Sequence, residues 1–371
     1  MKLTKTLMAT SALTLAGASA FADAHMVDSM TLVSWGGAYQ HSQNEAYLKP
    51  YLEMNPGVTA VWDESSNEAV AKLRAMNEAG NITWDVVDVV AADAIRLCDE
   101  GLAMEIDVDE VLLAGDDGST PTQDFGELLV SDCFIPQIAY STAFGYRTDV
   151  EAWGGNTPTE ICDVFDLETF PGQRSLERRP INNMEWALLC SGVAKEDVYD
   201  MLETEEGQDM AFAKLATIKD SVVWWSAGAD TPQLLADGEV LIGSTYNGRL
   251  FSLIEEQDQP VAMLWDAQVY DIDGWIIPTG LPEDRLARAM DFIRFATDTQ
   301  RLADQAAYIA YGPARQSSAP LVGQHATLGI DMAPHMPTNP ANAQNIFVYN
   351  YEWWADYRDD LDAKFQSWLA R

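Results

Sequence analysis

Aromatic rings and carboxylates gather at one kind of place in this chain, the carboxyl ends of its strand-like runs. Trp35 and Tyr39 follow the first run, Asp93 a later one, and Trp224 with Trp225 ends another. Tyr246 closes the next, Tyr270, Asp271, Asp273 and Trp275 sit within the last, and Tyr311 lies beyond. In open α/β sheets those strand ends line the ligand crevice. There an aromatic face attracts an organic cation by about 0.5 to 2 kcal/mol once desolvated, and a carboxylate adds a charge-assisted hydrogen bond. Together these residue types could cage an amine. For Trp224, Trp225 and Trp275 core packing is the competing role. Within Asp271-Ile272-Asp273, period-two alternation puts both aspartates on one face, opposite Ile272.

Covalent chemistry has no comparable footing. The chain contains no G-x-S-x-G elbow, no G-x-x-x-x-G-K-[ST] loop, no G-x-G-x-x-G after a strand and no H-E-x-x-H. Carboxylate pairs are abundant, so an exported carboxylate-based hydrolase stays as the rival class. Asp271-Ile272-Asp273-Gly274 matches only part of a calcium loop and lacks the terminal glutamate. His25, His41, His325 and His335 have neither metal-ligand spacing nor cysteine neighbours, so no metal and no cofactor is expected.

The elements that must position the cage alternate between short apolar runs and helix-like stretches, which predicts α/β layering with largely parallel sheets. Strands are expected over 30–34, 58–62, 84–90, 239–245 and 269–278. Helices are expected over 38–54, 68–78, 233–236, 249–257 and 284–297, with Gly80 and Gly238 as stops. The aromatic tail, 349–368, reads as a helix docked on the body.

At 371 residues with 47% hydrophobic content the chain should divide into about two domains. Its formal charge of −36 repels nucleic acid and anionic lipid and draws cations. Lys2 and Lys5, the apolar run from Leu7 to Gly17 and the Ala20-Phe21-Ala22 pattern read as an export signal cut near Ala22, which places the product in the periplasm. The four cysteines then meet an oxidising compartment. Of three possible connectivities, Cys98 with Cys133 and Cys162 with Cys190 is favoured, each closing a loop of about 30 residues worth roughly 3 to 4 kcal/mol.

Five segments carry a family resemblance: Ser34-Trp35-Gly36-Gly37-Ala38-Tyr39, Trp84-Asp85-Val86-Val87, the run from Phe165 to Arg174, Leu235 to Val240, and Tyr246-Asn247-Gly248-Arg249. In this order they resemble the periplasmic solute-binding proteins of ABC transporters, the polyamine (spermidine/putrescine) type above all. The resemblance implies a two-lobed fold closing by a hinge over one small molecule, a monomer that docks on an inner-membrane permease, and no chemical step. It divides the chain into a signal (1–22), a first lobe (23–139), a second lobe (140–273), a return to the first (274–315) and a C-terminal helical segment across both (316–371). It further implies a cage of Trp35, Tyr39, Tyr246 and Tyr311 around Asp273 as ammonium acceptor, beside which Asp93 and Asp271 stay candidates from their strand-end positions. The second lobe's anchor falls among Asn182, Asn183 and Glu185, where the pattern departs from charge toward amide, leaving room for another small amine or a zwitterion. An aminophosphonate, a sugar or a ferric ion are the other solutes considered.

Overall fold

The computed structural model describes residues 26–371, and the expected export signal lies outside them. Eight strands form the body of one mixed sheet: β1 Ser29–Val33, β2 Thr59–Asp63, β3 Val86–Val90, β4 Ile135–Arg147, β5 Arg174–Glu177, β6 Val222–Trp225, β7 Ile242–Tyr246 and β8 Val261–Ile276. Their order is β2-β1-β3-β8-β4-β7-β5-β6. Two-residue strands β9 (Gly312–Pro313) and β10 (Phe347–Val348) add to β4 and β8.

Two parallel sets hang from one antiparallel pair. β2, β1 and β3 run parallel, as do β6, β5 and β7. Between them β4 and β8 run antiparallel for most of their length. β3 pairs with residues 273–276 at one end of β8, whereas β7 pairs with 142–146 at the far end of β4. The register slips between Thr142 and Phe144, and Ala267 adopts a left-handed φ of 50° opposite that slip. A bulge bends a strand and raises its twist, so the long pair bends where one parallel set gives way to the other. This is the two-lobed fold the sequence implies.

Strand 84–90 reads as a buried strand, apolar except for Asp85 and Asp88, because helices cover both its faces. Met30, Leu32, Tyr47, Trp275 and Phe292 pack on one side of the first set, and Val33, Leu73, Val87 and Leu97 on the other. The expected helix over 38–54 is present from Gly37 to Met54, with a wider turn at Asn44–Leu48. Two expected strands start three or more residues away from the expected position. β7 begins at Ile242, because the Glu239 and Val240 amides still cap the preceding helix at the Leu234 carbonyl. β8 begins eight residues early, at Val261, since the Asp266-Ala267 bulge hides its first half from a periodicity reading.

Both disulfides are formed, Cys98–Cys133 and Cys162–Cys190, closing separations of 35 and 28 residues. The tail is a helix, Tyr351–Leu369, whose Trp353, Trp354, Leu361 and Phe365 enter the second set's core. Burying side chains of that size contributes roughly 1.5 to 3 kcal/mol each. Its polar side reaches the first set through Arg358 to Asp93 and Asp359 to Arg96.

Candidate functional site

The strand registers that build the sheet also build a cavity. Asp273 lies opposite Ile138 of β4 and opposite Val90 of β3, so three adjacent strands present one patch of a single face. Trp35 and Tyr39, from the turn and helix after β1, roof that patch. Tyr140, Tyr246 and Tyr311 wall it. The rings meet edge-on or tilted: Tyr39 and Tyr311 at 5.6 Å between centroids, Tyr140 and Tyr246 at 5.5 Å, Tyr140 and Tyr311 at 5.9 Å. Asn247 fixes two of these walls, accepting from the Ser141 amide at 3.0 Å and donating to the Ala310 carbonyl at 2.6 Å. Gly248 then lets Tyr311 close in, since a Cβ there would sit 2.5 Å from the Tyr311 ring. The cavity holds about 20 Å³, room for little more than one water. It adjoins an outer chamber of about 460 Å³ that shares Trp35, Tyr246 and Arg249.

One wall is acidic and densely hydrogen-bonded, although Gln137 Nε2 is buried without a partner. Asp88, in the middle of β3 and wholly buried, accepts from Trp35 Nε1 at 3.1 Å, from the Tyr39 hydroxyl at 2.9 Å and from Gln43 Nε2. Gln43 also donates to the Gln137 amide oxygen at 3.0 Å and accepts from Ser34 Oγ at 2.5 Å. Asp88 and Asp273 are diagonal neighbours on one face of the β3–β8 pairing, since Asp88 lies opposite Trp275 and Asp273 opposite Val90. Burial pushes Asp88 up to about 6 although Tyr39, Gln43 and Trp35 all bond its charged form. Burial, and then the Asp88 charge, push Asp273 well above the usual carboxylate range.

The facing wall is cationic. Arg249 is buried, lies over the Tyr246 ring at 5.7 Å and donates from Nη2 to the carbonyls of Trp35 at 3.2 Å and Gly36 at 3.4 Å. Those bonds cross the cleft. They need Gly36 and Gly37, both in the left-handed region, because a Cβ on Gly37 would sit 2.6 Å from Arg249 Nη1. Arg249 Nε and Trp225 Nε1 are buried donors with no protein partner. Both residues border the outer chamber, where Arg179 pairs with Glu177 at 2.8 Å.

Of the residues expected from the sequence, Trp35, Tyr39, Tyr246, Asp273 and Tyr311 line the one cavity. Asp271 does not; it is buried one step along the same face, accepts from the Tyr140 hydroxyl at 2.9 Å and is pushed up to about 7 by burial. Asp93 lies outside the cage, ion-paired with Arg358 of the C-terminal helix. Asn183 donates to the Glu177 and Arg179 carbonyls at 2.8 and 2.7 Å, holding the chamber's rim from behind. Glu185 sits under the C-terminal helix, where it accepts from Trp354 Nε1 at 2.7 Å and burial pushes it up to about 7. Asn182 faces Thr142 at 3.3 Å. Trp224 packs on Phe365 and Trp368, and Trp275 on Tyr47 and Phe292, as core residues. Reading the sequence for site residues passed over Asp88, Tyr140, Gln137, Gln43 and Arg249. No group of three or more His, Cys, Asp or Glu among the described residues is arranged to hold a metal, and none of their helices is long and apolar enough to cross a membrane.

Two lobes hung on one bent strand pair, with a small cavity and an adjoining chamber between an acidic and a cationic wall, define a two-lobed binding protein. The chain belongs to the bacterial extracellular solute-binding proteins, whose family pattern it matches over residues 46–338. It is 34% identical over 343 residues to the gamma-aminobutyric acid-binding protein of Pseudomonas aeruginosa, covering 92% of this chain and 91% of that one. Among solved structures it is similar to the PBP MotA from A. tumefaciens B6 in complex with glucopine, at 28% identity and a TM-score of 0.80, over 92% of this chain and 99% of that one. It is also similar to a GABA receptor, at 29% identity and a TM-score of 0.75, over 92% and 98%. The chain is therefore the substrate-binding component of an ABC importer. It binds a small molecule, works with a permease and is not an enzyme.

Proposed function

We propose that this protein captures a small zwitterion with one ammonium and one carboxylate, of the size and type of 4-aminobutanoate (gamma-aminobutyric acid). The observation that carries this reading is Arg249, whose buried, unpartnered Nε borders the same cavity as Asp273. An amine cage alone suits a polyamine, the solute the sequence favours. A fixed guanidinium in that cage repels a second ammonium and attracts a carboxylate. The ammonium rests against Asp273 and the tyrosine faces, and the carboxylate takes the free donors of Arg249, with Trp225 next along the chamber. The likeness to gamma-aminobutyric acid binders supports the same choice.

In this reading the lobes divide near residues 139 and 273, the protein is exported to the periplasm with its first 22 residues removed, and it works as a monomer. Because the cavity of about 20 Å³ cannot hold such a solute as it stands, the lobes open slightly and re-close around it. Titration calorimetry with 4-aminobutanoate, 1,4-diaminobutane and spermidine tests the proposal. Saturable binding of 4-aminobutanoate, unchanged chemically after release, is expected. Tight binding of either polyamine with none of 4-aminobutanoate overturns it.

A further inference from the structure

Asp88 has no place in a simple amine cage: it does not line the cavity, yet it accepts three side-chain hydrogen bonds beneath it. It is also the diagonal neighbour of Asp273 on the same face of the β3–β8 pairing, and two bare carboxylates side by side in a dry site repel strongly unless a proton is shared between them. We infer that Asp88 and Asp273 work as one proton-sharing pair that offers the ligand a single negative charge, so that Asp88 is a positioning residue which restricts the cage to solutes with one ammonium group. This rests on the zwitterion reading and deepens it.

The surroundings assign the charge within the pair. Three donors converge on Asp88, from Trp35, Tyr39 and Gln43, so it is the partner that is held ionised. Asp273 has one donor, the Gly274 amide at 3.0 Å, and holds the proton toward Asp88. The groups facing the pair from the other elements are Gln137 and Tyr140 of β4, Asp271 of β8, Tyr311 and Arg249. Only Arg249 among them is a cation. The single negative charge of the pair therefore offsets the positive charge of Arg249, and a zwitterion adds one of each, leaving that balance unchanged. A diamine shifts the balance by two positive charges unless the shared proton departs. Burying unpaired charge is what such a site cannot tolerate. When the ammonium arrives, the shared proton shifts toward Asp88 as Asp273 takes up the charge; no bond to carbon changes.

Two measurements decide this. In ligand-free protein, carbon-detected NMR of aspartate carboxyls should show two groups titrating together, with Asp88→Asn lowering the midpoint of Asp273, because the neighbouring charge is gone. An Asp273 that titrates like an isolated surface carboxyl, unmoved by Asp88→Asn, overturns the pair whatever the ligand is. The wild type supplies the second test should that variant not fold. Calorimetry of 4-aminobutanoate in buffers of different ionisation enthalpy should show essentially no net proton exchange near pH 7.5, and affinity falling as pH drops below about 6, where Asp88 takes the second proton. Under the same conditions 1,4-diaminobutane should bind at least about tenfold more weakly and release a proton. Release of a full proton with 4-aminobutanoate overturns the inference. Absence of 4-aminobutanoate binding defeats the zwitterion reading instead, while the NMR result still stands or falls on its own.

Discussion

The two walls of the cleft solve opposite problems. On the acidic wall every oxygen of Asp88 is already bonded, and Trp35 and Tyr39 are held by their polar tips with their ring faces free. That wall is preorganised and loses little freedom on binding, which is where affinity is usually lost. On the cationic wall, Arg249 and Trp225 keep buried donors without partners, a state costing about 1 to 3 kcal/mol per group until something accepts from them. Arg249 meanwhile borrows two carbonyls across the cleft. One wall waits rigidly, and the other gains most from the ligand.

If that contrast is right, the largest single loss should come from Arg249→Ala. It removes the carboxylate's partner and also the bridge to Trp35 and Gly36. Removing one member of a desolvated charge pair costs about 2 to 5 kcal/mol, so 4-aminobutanoate should bind about 100-fold more weakly or worse, as read by calorimetry. An affinity within tenfold of wild type would mean that the carboxylate does not sit there, and the contrast between walls would collapse.

Asp273→Asn tests the opposite wall and should cost somewhat less, about 30-fold, because the aromatic faces still attract the ammonium. Butanoate, which lacks the amine, sharpens the comparison. Its weak binding should be nearly unchanged by Asp273→Asn but lost with Arg249→Ala. Equal sensitivity of both solutes to Asp273→Asn would show that the aspartate shapes the cleft rather than meeting a cation.

The acidic wall was largely legible in the sequence because Trp35, Tyr39 and Tyr246 lie at or beyond strand ends, which converge, while Asp273 sits near the end of β8 and Tyr311 just before β9. Asp88 was not, since it hides in Val86-Val87-Asp88-Val89-Val90, a run that reads simply as a buried strand. The signal was the aspartate itself: a carboxylate in a strand covered on both faces must find donors or a proton. Arg249 stood in view within Tyr246-Asn247-Gly248-Arg249, but only the fold reveals that it crosses the cleft beside Gly37. Asp93 does follow a strand, as a cage residue should, yet Arg358 claims it from 265 positions away. No local pattern announces that the last helix lies over the helix after β3.

The smallest effect on binding should come from Asp271→Asn, although alternation gives Asp271 and Asp273 the same face. Register separates them: Asp273 faces Val90 and Ile138 inside the cavity, whereas Asp271 faces Tyr140, whose hydroxyl it accepts at 2.9 Å, and takes the Ile272 amide at 2.7 Å. An asparagine there still accepts from Tyr140, so the wall stays and affinity should change by less than about threefold, well under 1 kcal/mol. Stability should respond instead, with a definite sign. Burial raises Asp271 from 3.8 to about 7 in the folded protein, so the native state binds its proton more tightly than the unfolded chain does. Stability therefore declines as pH rises between those two values, and the full penalty applies above about 7. Asp271→Asn removes that penalty: the variant should melt higher than wild type at pH 8 and be indistinguishable from it at pH 4, where the aspartate is largely protonated in the native state. A binding loss as large as that of Asp273→Asn would instead mean that both aspartates hold the cation, and the acidic wall would have to be redrawn one residue pair longer.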